Sequence, residues 1–156
     1  MKDTVIIGIG NILLKDDGVG VHVIKQLENE NLPSTIELVD GGTSTLDTVS
    51  YFLEYNKVII VDCLKAGYKS GTIYKINPEE IKNYKTENLS IHEVQILDVV
   101  KMANMLGKFP EVVIFGIEPE EICLDTEMTE SIKKKIPEVM KYIKAELNIC
   151  GINLEC

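Results

Sequence analysis

Three continuous apolar runs, Thr4–Ile9 (TVIIGI), Lys57–Val61 (KVIIV) and Val112–Ile117 (VVIFGI), constrain this chain more than any other feature. Each is too short for a core helix and is dominated by β-branched residues. Such a run has no polar face to leave in water, so it reads as a strand covered on both sides, the condition of a parallel sheet inside an α/β protein. Thr35–Val39 adds a strand closed by Asp40-Gly41-Gly42, and Gly71–Ile76 alternates like a half-exposed edge strand.

Between these runs the apolar period changes to that of helices. Asp17–Glu30 carries Val19, Val23, Ile24 and Leu27, with Asp16 or Asp17 placed to cap its start. Thr45–Tyr55 and His92–Leu106 are amphipathic, the latter ended by Gly107. The polar stretch Pro78–Leu89 has room for one helical turn. Thr126–Leu147 reads as the closing helix, kinked or split at Pro137. Alternating strands and helices predict a three-layer α/β/α sandwich around a mainly parallel five-stranded sheet with one antiparallel strand. With 156 residues, no internal repeat and no linker, a single domain over 1–156 is expected.

Charge narrows the function. Sixteen Lys and Arg against 25 Asp and Glu leave a net charge of −9, which argues against nucleic acid and anionic membranes as partners. No apolar run approaches the ~20 residues of a membrane span. The opening MKDTVIIGIG lacks the pattern of a secretory signal, so a cytoplasmic protein is expected. Cys63, Cys123, Cys150 and Cys156 form no metal-ligand spacing. Reduced thiols are expected, with a Cys150–Cys156 loop as the alternative.

In an open α/β sheet, ligands bind beyond the carboxyl ends of the strands. Those ends deliver Gly8-Ile9-Gly10-Asn11 and Asp16-Asp17-Gly18, then Asp40, Asp62 and Glu118, with His92 opening a helix at the same rim. Several carboxylates and an imidazole are thereby gathered at one edge. A dinucleotide fingerprint fails here: Leu13 stands where a small residue is needed, and Asp16 and Asp17 would repel a pyrophosphate. Asp40 occupies the place of a ribose-binding acid, which keeps a nucleotide-binding module as a rival reading. Each residue also has a plainer role: caps for Asp16 and Asp17, a turn acceptor in Asp62, a structural His22, a core thiol in Cys63 and a solvated face at Lys133–Lys135. A Cys63–His92 nucleophile pair is conceivable, but nothing in the sequence activates the thiol.

Taken in order, Gly8-Ile9-Gly10-Asn11-Ile12-Leu13, Asp16-Asp17-Gly18-Val19-Gly20, Asp40-Gly41-Gly42-Thr43, Asp62, Ser90-x-His92 and Gly116-x-Glu118-Pro119 resemble the hydrogenase maturation endopeptidases of nickel–iron hydrogenases, across roughly 1–147. The resemblance implies a protease that removes the C-terminal extension of a hydrogenase large-subunit precursor once nickel has been inserted. It implies Asp17, Asp62 and His92 as catalytic residues and as ligands to nickel that the substrate brings. Asp17 stands where relatives frequently have the longer Glu. Gly10, Asn11, Asp40, Gly41, Gly42 and Thr43 are the implied substrate-binding residues, the glycines allowing close backbone approach. Carboxylate and imidazole together suit a borderline ion such as nickel. Two mechanisms stay open: nickel polarises the carbonyl or a water, or it positions substrate while Asp17 or Asp62 acts as general base. The precursor is the expected partner and a monomer the expected state. A non-catalytic metal-delivery or scaffold protein of the same fold is the alternative.

Overall fold

The computed structural model describes residues 3–81 and 91–148. Five strands, β1 (Thr4–Ile9), β2 (Ile36–Gly42), β3 (Lys57–Cys63), β4 (Ile73–Ile76) and β5 (Glu111–Ile117), form one sheet in the order β2-β1-β3-β5-β4. The first four neighbours run parallel; β4 pairs antiparallel to β5 at the edge. The helices are α1 (Val19–Leu27), α2 (Val49–Glu54), α3 (Pro78–Ile81), α4 (Ile91–Met105), α5 (Glu130–Lys133) and α6 (Ile136–Glu146).

Side-chain alternation along the strands divides the core into two layers. Ile6, Ile59, Val61, Val113 and Phe115 pack with α1, α5 and α6 on one face. Val5, Ile7, Val58, Ile60 and Ile114 pack with α2, α3 and α4 on the other. Burying each of these large side chains contributes about 1.5–3 kcal/mol, so the doubly covered strands hold the sandwich together. Along β3 the parity assigns Asp62 to the α4 face, while Cys63 belongs to the α1 layer.

Several elements depart from their expected form. Neither Asp16 nor Asp17 caps α1: both lie in a 3₁₀ turn, Lys15–Gly18, and the residue before the helix is Gly18 with no side-chain cap bond. A 3₁₀ turn at Thr45–Thr48 likewise precedes α2. β2 runs on through Gly42 because Gly8 and Ile9 continue to pair with it. The closing helix splits before Pro137, which sits in the first turn of α6, where its missing N–H costs no hydrogen bond. Beyond Met105, Gly107 at φ +79° ends α4, and the Lys108 amide donates to the Ala103 carbonyl at 2.9 Å, closing the helix end. The segment 82–90, with the Ser90 of the sequence motif, and the cysteines 150 and 156 lie outside the described residues.

The first turn of α1 sits directly on the sheet. A Cβ on Gly20 would stand 2.1 Å from the Val61 carbonyl oxygen, and one on Gly8 would stand 2.4 Å from that of Gly20. Backbone lies on both sides of these contacts and cannot yield cheaply. Gly20→Ala is therefore expected to destabilise the fold by about 3 kcal/mol, read as a lowered urea midpoint. A change within about 0.5 kcal/mol, the range of ordinary surface substitutions, would contradict this packing.

Candidate active site

The order of strands reverses between β1 and β3, since the chain passes from β1 outward to β2 on one side and from β3 towards β5 on the other. The crevice beyond the carboxyl ends of an α/β sheet opens at such a point. Asp62 ends β3 there. It is 2 % exposed, and its Oδ1 accepts the Cys63 amide at 2.7 Å. Its Oδ2 is buried with no hydrogen-bond partner among the described residues, and the Nδ1 of His92, at the start of α4, stands 3.9 Å away. Burial pushes the Asp62 carboxyl well above the ordinary Asp range, and the neighbouring charges of Glu93 and Asp17 push it further.

Asp16 and Asp17 have opposite fates. Asp16 is fully buried; its Oδ2 accepts the amides of Glu120 and Glu121, each at 3.0 Å, and its Oδ1 accepts the Thr129 amide at 2.9 Å. The Thr129 hydroxyl donates to the same carboxylate. Asp16 thus ties the loop after β5 to the loop after β1, and Asp125 reinforces the seam through its amide on the Leu13 carbonyl, 2.9 Å. Asp17 remains half-exposed, with one oxygen accepting the Asn11 amide at 2.9 Å. Of the two acids, Asp17 is the one with a carboxylate available at the rim.

The remaining predicted residues divide by use. Gly10 and Gly41 accommodate their own chain: a Cβ on Gly10, at φ +144°, would meet the Asp17 carbonyl oxygen at 2.1 Å, and one on Gly41 the Ile7 side chain at 2.9 Å. Asn11 accepts the Leu13 amide, and exposed Asp40 accepts that of Gly42 in a tight turn. Gly42, with only the Asp40 carboxylate near at 3.9 Å, faces open space beside exposed Thr43. Cys63 is buried in the α1 layer, and burial, with the Asp62 charge next, drives its thiol far above the usual range. A thiolate nucleophile at this position is therefore disfavoured.

Glu93, 2 % exposed and charge-coupled to Asp62, belongs to the same cluster. Its place beside His92 in the first turn of α4 was the available signal, but sequence alone does not say that it turns inward. Among the described residues, no three His, Cys, Asp or Glu side chains stand close enough to hold an ion. Asp62 and His92 are adjacent, and Asp17 lies within electrostatic reach of Asp62.

These features define an α/β protein with an acid-and-imidazole cluster at its topological switch point. The hydrogenase maturation protease family model matches residues 21–146. A Methanocaldococcus jannaschii relative, provisionally named a hydrogenase maturation protease, is 31% identical over 155 residues, covering 94% of this chain and 97% of its own length. The hydrogenase 2 maturation protease of Escherichia coli is 27% identical over 150 residues, covering 94% of this chain and 92% of its own. The structure of the E. coli hydrogenase maturating endopeptidase HybD superposes with a TM-score of 0.86 at 27% identity, over 94% of this chain and 92% of that one. The chain belongs to the hydrogenase maturation protease family and is a peptidase.

Two stability measurements test the site. Asp16→Asn places an amide group against backbone N–H donors and is expected to cost about 2 kcal/mol, whereas Asp17→Asn should stay within about 0.5 kcal/mol of wild type. Equal losses in urea melts would contradict the division of roles. The second concerns Asp62. A raised carboxyl pKa means that the folded state holds a proton that the unfolded chain releases. Its contribution is present at acid pH and is lost as pH rises from the ordinary Asp range through the elevated folded value. Asp62→Asn should then be more stable than wild type at pH 7–8 (about neutral), with the gain shrinking towards pH ~4. A gain independent of pH would contradict the buried-carboxyl account.

Proposed function

We propose that this endopeptidase removes the C-terminal extension of a nickel–iron hydrogenase large-subunit precursor after nickel insertion. In this reading Asp17, Asp62 and His92 recognise the inserted metal. The observation that carries the proposal is the Asp62 Oδ2: a buried carboxylate oxygen with no donor among the described residues, 3.9 Å from an imidazole nitrogen, at the switch point of a maturation protease fold. A desolvated carboxylate without a donor is costly, and a cation arriving with the substrate relieves that cost. Oxygen and imidazole donors suit a borderline divalent ion.

The chain's own residues divide the work. Asp62 offers its free oxygen from a fixed strand end, held by the Cys63 amide. His92 presents its Nδ1 towards the same point. Asp17 is half-exposed and steadied by the Asn11 amide, which supports it over the buried Asp62 as the group that takes a proton from an attacking water. Gly42 and Thr43 leave open space for an extended substrate backbone, while Gly10, Asn11, Asp40 and Gly41 shape the turns around it. Nickel, when it arrives with the precursor, supplies either Lewis-acid polarisation of the scissile carbonyl or a handle that orients the peptide.

The proposal includes a monomer acting in the cytoplasm without nucleic-acid or membrane partners. A net charge of −9 argues against nucleic acid and anionic membranes as partners, and no helix among the described residues is long and apolar enough to cross a membrane. The test is intact-mass analysis of a cognate precursor incubated with wild type, Asp17→Asn, Asp62→Asn and His92→Ala. Wild type is expected to trim the nickel-loaded precursor, and each variant to be slower by on the order of 100-fold or more. Undiminished trimming by His92→Ala would sink the ligand assignment. A nickel-loaded cognate precursor left at full length by wild type would overturn the proposed substrate.

A further inference from the structure

Glu118 follows β5 at the same rim, yet its carboxylate is spent inside the protein. The residue is 5 % exposed. Its Oε1 accepts the amides of Ala66, Gly67 and Tyr68 at 2.8, 3.0 and 3.2 Å, and the hydroxyl of Tyr74 at 2.7 Å. Its main chain grips the far end of the same loop: the Glu118 amide donates to the Thr72 carbonyl at 2.9 Å, and its carbonyl accepts the Gly71 amide at 2.8 Å. At the near end the Leu64 amide donates to Ile117 at 3.0 Å. The loop that leaves β3 two residues after Asp62 is thus wound around one side chain.

Three successive amides converging on one oxygen make an anion receptor, and here the anion is built in. Between these anchors the chain turns on two glycines. Gly67 and Gly71 adopt φ of +89° and +85°, and no atom lies within 4 Å of where a Gly67 Cβ would stand. The loop also presents Tyr68, 70% exposed, with its ring 6.2 Å from that of Tyr74. An exposed aromatic ring on a fixed turn offers large contact area at small entropic cost.

We infer that Glu118 is a positioning residue for the peptidase: through the Ala66–Tyr68 turn it holds Tyr68 beside the Asp62 strand end, where the ring grips the extended segment of the precursor. The inference rests on the peptidase reading and adds to it a binding element outside the acid-and-imidazole cluster. Because the grip acts in binding, its loss raises KM and leaves kcat nearly unchanged. Because four donors meet one charged oxygen, Gln at this position serves only in part: its neutral amide oxygen has two lone pairs and accepts more weakly.

The test compares wild type, Glu118→Ala, Glu118→Gln, Tyr74→Phe and Tyr68→Ala by amide hydrogen exchange and by trimming kinetics on nickel-loaded precursor. In Glu118→Ala, exchange at residues 66–68 is expected to rise about tenfold or more and KM to rise by about tenfold, with kcat within about threefold. Glu118→Gln should fall between wild type and Glu118→Ala in both, and Tyr74→Phe should show a smaller rise in exchange. Tyr68→Ala should raise KM without altering exchange. Unchanged exchange in Glu118→Ala overturns the clamp. Altered exchange with unchanged KM, or a Tyr68→Ala enzyme with wild-type KM, overturns the positioning role. Should Glu118→Ala not fold, the Gln, Phe and Tyr68→Ala variants decide the question. Wild type that trims nothing overturns the peptidase reading and the positioning role with it, while exchange, which needs no substrate, still judges the clamp separately.

Discussion

The arrangement depends on how closely the first turn of α1 is seated on the backbone of β1 and β3. Gly8 and Gly20 leave only hydrogen between helix and sheet, with the Val61 and Ile9 carbonyl oxygens 2.1 and 2.6 Å from where a Gly20 Cβ would be. Gly10 lets the Asp17 carbonyl pack over the end of β1 in the same way. A helix standing off by one methyl group would lift the 3₁₀ turn away from the sheet and carry Asp17 out of reach of Asp62. Backbone packing, rather than side-chain choice, therefore sets the spacing of the two acids.

Around that seat, four carboxylates of like chemistry meet three different fates, and local donors and burial decide which. Asp16 and Glu118 are buried and saturated by backbone amides, so each behaves as a fixed fastening for a loop. Asp62 is equally buried but among the described residues receives only the Cys63 amide, and burial, with the charges of Glu93 and Asp17 beside it, raises its proton affinity. Asp17 keeps contact with solvent. A site assembled in this way separates the groups that hold the rim from those free to meet a substrate.

Much of this was legible in the sequence because it rests on local pattern. The buried runs at residues 4–9, 57–61 and 112–117 identify the central strands, and strand parity then turns Asp62 and Cys63 to opposite faces. The order of motifs identifies the family, which the match over residues 21–146 bears out. What stayed hidden depends on contacts distant in sequence. Asp16 looks like a helix cap until Glu120, Glu121 and Thr129 arrive to claim it, and Glu118 looks like a rim acid until the 66–68 turn closes around it. The inward turn of Glu93 likewise follows from the docking of α4. The closing helix breaks before Pro137 because proline favours a first turn over a mid-helix position.

The central claim is that Asp17, Asp62 and His92 meet the nickel of the precursor directly. X-ray absorption at the nickel edge, recorded on the nickel-loaded precursor alone and in complex with this chain, tests it most directly. Rapid freezing of the mixed complex would hold it ahead of turnover for the measurement. New oxygen and imidazole scattering around nickel is expected on binding, with the imidazole component lost in His92→Ala and the oxygen component reduced in Asp17→Asn. A nickel environment identical in free and bound precursor would contradict it.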